Sequence, residues 1–272
     1  MSNESPKGAQ IFDGYSAGAS PGGPAPNNDV SAYNDLDTAT FETRDLHVSG
    51  SSRLEEVSAE TFRSSGSLRV RGNARTRSFR SSGRTNVMRD VVTLQYKSSG
   101  SAHVHGQLTA GAMTSSGSMK IDGGLLGRDS IEASGLLKVA WIRSMGRVAI
   151  AGRIETGGIV CRDILVSGGG KVCDITAETV DIDSGSSSRI ARILPFNIEF
   201  GRRRPFKADS IVAKGTVSID LCDIGKVKGR VIRIGKYCHI GRVEYTESCD
   251  IAKGAIVDNP PIKVPASPGA VR

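Results

Sequence analysis

Hydrophobic residues return to the same place in this chain about every 17 residues. One series reads Phe62, Phe79, Tyr96, Met113, Ile131, Val148, Leu165, Ile182, with every step 17 except a single 18. A second reads Leu68, Thr85, Ala102, Met119, Leu137, Ile154, Val172, Ile190, in steps of 17 or 18. A third reads Val57, Ala74, Val91, Leu108, Leu125, Ile142, Ile159, at 17 throughout. The series are offset by six, six and five residues. A fixed period with three mostly apolar positions per period marks a solenoid, and the unit is too short for the paired helices of most helical repeats.

Within each unit apolar and polar residues alternate. Leu68-Arg69-Val70-Arg71, Ala102-His103-Val104-His105 and Met119-Lys120-Ile121-Asp122 all read in-out-in-out, the period of a strand. Gly72, Gly106 and Gly123 follow these runs. A second corner carries Ser-Ser-Gly at 64–66, 81–83, 98–100 and 115–117, then Ala-Ser-Gly at 133–135. Glycine supplies the positive φ of a sharp corner, and stacked serines can bond one another or nearby backbone. The pattern predicts an all-β fold: a three-sided parallel β-helix of about 17 residues per coil, filled by columns of like residues. At roughly 25 cal/mol per Å² of buried apolar area each coil gains only a few kcal/mol, so many coils in register are required.

Residues 1–44 are rich in Gly, Pro, Ser, Asn and Asp without periodicity, and read as a disordered acidic N-terminal tail. They carry a net −4, so the remainder carries +12 of an overall +8. The β-helix is expected over 45–258, interrupted by a basic loop or hairpin at about 191–210 that holds Pro195, Pro205 and Arg202-Arg203-Arg204. Phe200 and Phe206 flank those arginines, and the plain role for them is to pack the loop on the solenoid. Residues 259–272 read as a disordered, proline-bearing C-terminal tail.

Composition agrees with coils rather than a globular core, with 33 glycines and only 5% aromatics. No run of 18 apolar residues exists, and the N-terminus lacks the pattern of a signal peptide, so a cytoplasmic protein is expected. The five cysteines (Cys161, Cys173, Cys222, Cys238, Cys249) have no CxxC spacing and suit reduced, packed thiols. Cys238 and His239 are adjacent, so on a strand they point to opposite faces and make a poor metal pair.

Leu68-Arg69-Val70-Arg71-Gly72, Met119-Lys120-Ile121-Asp122-Gly123 and Arg147-Val148-Ala149-Ile150-Ala151-Gly152 resemble the apolar-x-apolar-x-Gly repeats of bactofilins. Cys173-Asp174-Ile175, Cys222-Asp223-Ile224 and Cys249-Asp250-Ile251 look like that family's Gly-Asp-Ile corners, with Cys in the glycine place. The likeness covers the coils, roughly 45–258. It implies a cytoskeletal scaffold protein that self-assembles end to end into filaments without nucleotide, its partner being itself in a homopolymer. The open edges of terminal coils give the same expectation a physical cause.

The chain has neither GxxxxGK[ST] nor GxGxxG, and no cofactor is expected. Glycosidases need paired carboxylates, whereas the outward positions Arg69, Asn86, His103, Lys120 and Lys138 form a basic stripe. Ile234-Gly235-Lys236-Tyr237-Cys238-His239-Ile240-Gly241 has the flavour of hexapeptide acyltransferases with His239 as a base, but no second catalytic group is evident. No enzyme activity, no catalytic residue and no small-molecule substrate are therefore expected. His103 and His105 share a face and have a spacing that can bind metal, but the reading preferred for them is a solvated strand face, with His47 a plain surface residue. No metal site is expected. Arg63, Arg69, Arg71, Arg75, Arg77, Arg80, Arg84 and Arg89 crowd the early coils. They offer a second function, a basic β-helix module that binds nucleic acid, an anionic membrane surface or another acidic partner.

Overall fold

The structure, a computed structural model, describes residues 29–33, 40–183 and 205–265. Among these there is no helix, and fifteen strands join one parallel sheet. In chain order they are β1 (Asp29–Tyr33), β2 (Thr40–Leu54), β3 (Glu56–Val70), β4 (Ala74–Val87), β5 (Val91–Val104), β6 (Leu108–Ser144), β7 (Arg147–Val160), β8 (Asp163–Ala177), β9 (Thr179–Asp183), β10 (Phe206–Ala213), β11 (Thr216–Asp220), β12 (Cys222–Ile234), β13 (His239–Ile251), β14 (Ile256–Val257) and β15 (Ile262–Lys263). Each long strand bends round a corner and pairs with the next coil, Val57 opposite Ala74 and Phe62 opposite Phe79.

Three inward pairs per coil define three sides. In β3 they are Val57 and Ala59, Phe62 and Ser64, Leu68 and Val70, all buried. Phe62, Phe79 and Tyr96 form the expected column, with ring centroids 4.9 and 5.2 Å apart. Beside these rings the second inward residue is a buried serine: Ser64, Ser81 or Ser98. Further along, the pairs become Val148 with Ile150, Ile164 with Val166, and Val180 with Ile182. A large ring plus serine and two branched aliphatics fill similar space, as a close-packed interior requires.

The register shortens midway. Val148 lies opposite Ile164, not Leu165, and Ile164 opposite Val180, so the first column runs through Ile164 and Val180. Ile182 belongs to the neighbouring column, opposite Val166. Leu165 faces outward and packs on Ala149 and Ala151. Val172 likewise sits opposite Thr156 rather than Ile154, and Ile190 is outside the described residues. The third series holds: Val57, Ala74, Val91, Leu108, Leu125, Ile142 and Ile159 are all buried.

The ladder begins before residue 45, since Asp29–Tyr33 pairs with β2, and it continues past 258, where Ile262–Lys263 pairs with β13. The interruption also closes earlier than expected, because Phe206 is already in β10 and fully buried. Phe206 lies opposite Gly170 on one side and Cys222 on the other, so it fills a core column and is no loop anchor. Val180 pairs with Val217. The coils on either side of 184–204 therefore stack directly on each other, and that segment, with Arg202-Arg203-Arg204 and Phe200, lies outside the described residues.

Candidate functional site

Three surfaces of the solenoid carry chemistry. The first is its C-terminal end. β14 and β15 cover only His239–Ile240 and Glu244–Tyr245 of β13. Among the described residues no further strand pairs with Ser248–Ile251 on that side. The core column is uncovered there: Ile234 is 2% exposed, while Ile251, one coil on in the same column, is 37% exposed. Tyr245, Cys249 and Val257 are only partly buried beside it. Unpaired edge groups next to bare apolar columns make a surface that another strand can continue.

The second is an open groove of about 680 Å³ along β2 to β6. His47, Arg63, Arg80 and Lys97 occupy the same outward position on four successive coils. Coils repeat about every 4.8 Å, so Arg63, Arg80 and Lys97 stand closer than like charges tolerate without cost. None of the four is ion-paired among the described residues. The serines Ser65, Ser82 and Ser99 line the same groove. The other early arginines are placed elsewhere: Arg71 pairs with Glu55 at 2.8 Å, and Arg69 stands in the row of Asn86 and His103 on another side. The eight arginines that crowd the sequence are thus split among sides, and only Arg63 and Arg80 join a continuous cationic row.

The third surface is the rest of that row. Arg69, Asn86, His103 and Lys120 lie opposite one another in turn. The His103 and His105 rings pack against each other with centroids 3.8 Å apart, tilted by 33°. Asp122, on the next coil, receives His103 Nε2 at 2.8 Å and His105 Nδ1 at 3.1 Å on one oxygen, and Lys120 Nζ at 2.8 Å on the other. Lys120, with His103 beside it, holds the Asp122 carboxyl below the usual carboxylate range. The stripe therefore contains a carboxylate-centred cluster that the alternation alone did not reveal. The signal was the repeat: a step of 17 from His105 reaches Asp122.

Lys138 pairs with Glu155, which lies opposite it on the next coil, at 3.2 Å. His239 is exposed and held between Asp258 at 2.9 Å and Asp223 at 3.5 Å. Asp258 and then Asp223 raise its pKa, which makes it a poorer base at neutral pH than a free imidazole. Its neighbour Cys238 is buried, as strand alternation demands. All five cysteines are free, and burial pushes the Cys161 thiol up to about 12. An acid pair was missed as well: Asp183 lies opposite Asp220, whose carboxyl is raised by burial and then by Asp183.

No helix among the described residues is long and apolar enough to cross a membrane. Comparison with family models, with characterised proteins and with solved structures yields no match for this chain.

Proposed function

We propose that this chain is a bactofilin-like scaffold that assembles end to end into filaments without nucleotide. The observation that carries the reading is the C-terminal coil, where Ile251 stands in a core column, 37% exposed, with no further strand above it among the described residues. A second copy docking its own first coil there would extend the parallel ladder and the interior columns at once. Such head-to-tail contacts do not close on themselves and generate filaments. The resemblance of the Gly-ended repeats supports the same reading. The test is negative-stain microscopy of the purified chain without ATP or GTP, which should show filaments. Ile251→Lys should abolish them while leaving the circular dichroism unchanged. Monomers alone over a wide range of concentration and salt would refute the reading.

The unpaired row of His47, Arg63, Arg80 and Lys97 favours a second function, sequence-independent binding of a single-stranded nucleic acid. No Phe, Tyr or Trp lines that groove, so its contacts would be to phosphate rather than to stacked bases. Three cations imply a slope of log affinity on log salt of about −2 for a single strand. Replacing Arg63, Arg80 and Lys97 together with alanine should flatten that slope, and an unchanged slope would remove this function.

A further inference from the structure

We propose that His103, His105 and Asp122 form a binding site for a divalent transition-metal ion of the zinc class. Two imidazole nitrogens and one carboxylate oxygen converge here, their ligand atoms all within 4.8 Å of one another. Both nitrogens point at one oxygen, at 2.8 and 3.1 Å. Ligands at about 2.1 Å from a metal, roughly at right angles to each other, are themselves about 3.0 Å apart. The two nitrogen–oxygen pairs thus already have the spacing of a set of two histidines and a carboxylate, the set that leaves further positions open to water.

The fold pre-positions each ligand. His103 and His105 flank Val104, which is fully buried and ends β5, so both rings are thrown to the same outer side there. Ile121 is buried in the same way and directs Asp122 outward on the next coil. Gly123 lies so close to Gly106 that a Cβ would meet the Gly106 carbonyl oxygen at 2.6 Å, which fixes the backbone beside Asp122. Lys120 stays on the second oxygen of Asp122 and leaves the first for the ion, as outer partners of ligating carboxylates do. The chemistry of imidazole plus carboxylate selects zinc, nickel or copper rather than calcium or magnesium.

Binding requires the two inward nitrogens to give up their protons. Each neutral ring then carries its proton on the outward nitrogen, Nδ1 of His103 and Nε2 of His105. This change of tautomer is a signature that a solvated strand face does not produce. The site is independent of filament formation, since it lies on a lateral side of the solenoid between β5 and β6.

The test uses the full chain, labelled with nitrogen-15 in its imidazoles and titrated with zinc chloride. One equivalent of zinc should switch the tautomers of His103 and His105 and leave His47 and His239 unmoved. His105→Ala should weaken binding by about 100-fold or more, taking the loss of a direct ligand to exceed that of an outer partner. Lys120→Gln should weaken it less, by about 10-fold, because it removes the outer partner that holds the second oxygen of Asp122. Both variants change outward side chains, and unaltered circular dichroism checks that they fold. Zinc that moves no histidine signal, because the thiols hold it, overturns the proposal. So does an equal shift of all four histidines, or an affinity unchanged by His105→Ala.

Discussion

Replacing Gly100 with alanine tests the prism at its sharpest corner. Gly50, Gly66, Gly83, Gly100, Gly117, Gly135, Gly152 and Gly168 form one column, and Gly100 has φ +103°. An L side chain at such a φ costs about 1–3 kcal/mol. The added Cβ would stand 2.4 Å from the carbonyl oxygen of Gly83 and 3.1 Å from its nitrogen, where ordinary contact begins at 3.4 Å. Both obstacles are backbone, so relief means prising two coils apart by about 1 Å and weakening the ladder bonds next to the corner, each worth about 1 kcal/mol. The total loss is about 3–5 kcal/mol. Because each coil touches only its neighbours, the damage should be local. Urea unfolding followed by circular dichroism reads the size of the loss, and amide exchange reads its place, with protection lost first between residues 83 and 117. Ser99→Ala, one residue away and outward-facing, should change stability by less than about 0.5 kcal/mol. A loss under about 1 kcal/mol for Gly100→Ala would refute the stacked-corner geometry.

Phe79→Ala should cost about 3–5 kcal/mol in urea unfolding, because Phe79 is fully buried between Phe62 and Tyr96 and its removal opens a cavity in a closed column. His239 joins Asp258 of the last turn to β13, and its raised pKa sets a sign: the pair stabilises that turn below about pH 6.5 and the effect is lost as pH rises through the raised value. Amide exchange over 256–263 should therefore quicken from pH 6 to 8 beyond its intrinsic rise, and His239→Ala should remove the excess. Replacing 184–205 by one glycine should preserve the fold and the melting temperature. Asp183 is opposite Asp220 and Phe206 opposite Cys222, and one coil on Leu221 alone, with φ 52°, joins Asp220 to Cys222. A collapsed circular dichroism spectrum on this deletion would show that the segment holds the two halves together.

The fold was legible because a repeat states its contacts twice, once by residue type and once by spacing. Where the period was regular, adding 17 found the neighbour: Phe62, Phe79 and Tyr96, or Val57 and Ala74. It failed where three apolar residues came in a row. Ile164-Leu165-Val166 offers two registers, and a step of 17 from Val148 selects Leu165, whereas the chain uses 16. Ala149 and Ala151 decide the matter, since two small residues facing outward give Leu165 a place outside the core. The boundaries were hidden for a different reason. Asp29–Tyr33 and Ile262–Lys263 are held by backbone pairing to a neighbouring coil, which requires no apolar period of their own.

The candidate sites follow the same logic, with composition misleading and register informative. Eight early arginines suggested one basic patch, yet strand alternation and three sides distribute them, and ion pairing removes Arg71 from the free charge. What survives is set by position in the coil: His47, Arg63, Arg80 and Lys97 share one place, and the three cations Arg63, Arg80 and Lys97 repel one another along a row. The row of Arg69, Asn86, His103 and Lys120 differs because Asp122 interrupts it two residues on, and a single carboxylate gathers three nitrogens. Opposite charges placed by a 17-residue period satisfy one another across coils, while like charges placed by it stay open to a ligand. The cationic groove and the histidine cluster are therefore two outcomes of one geometric rule, decided by which residue type occupies the next coil.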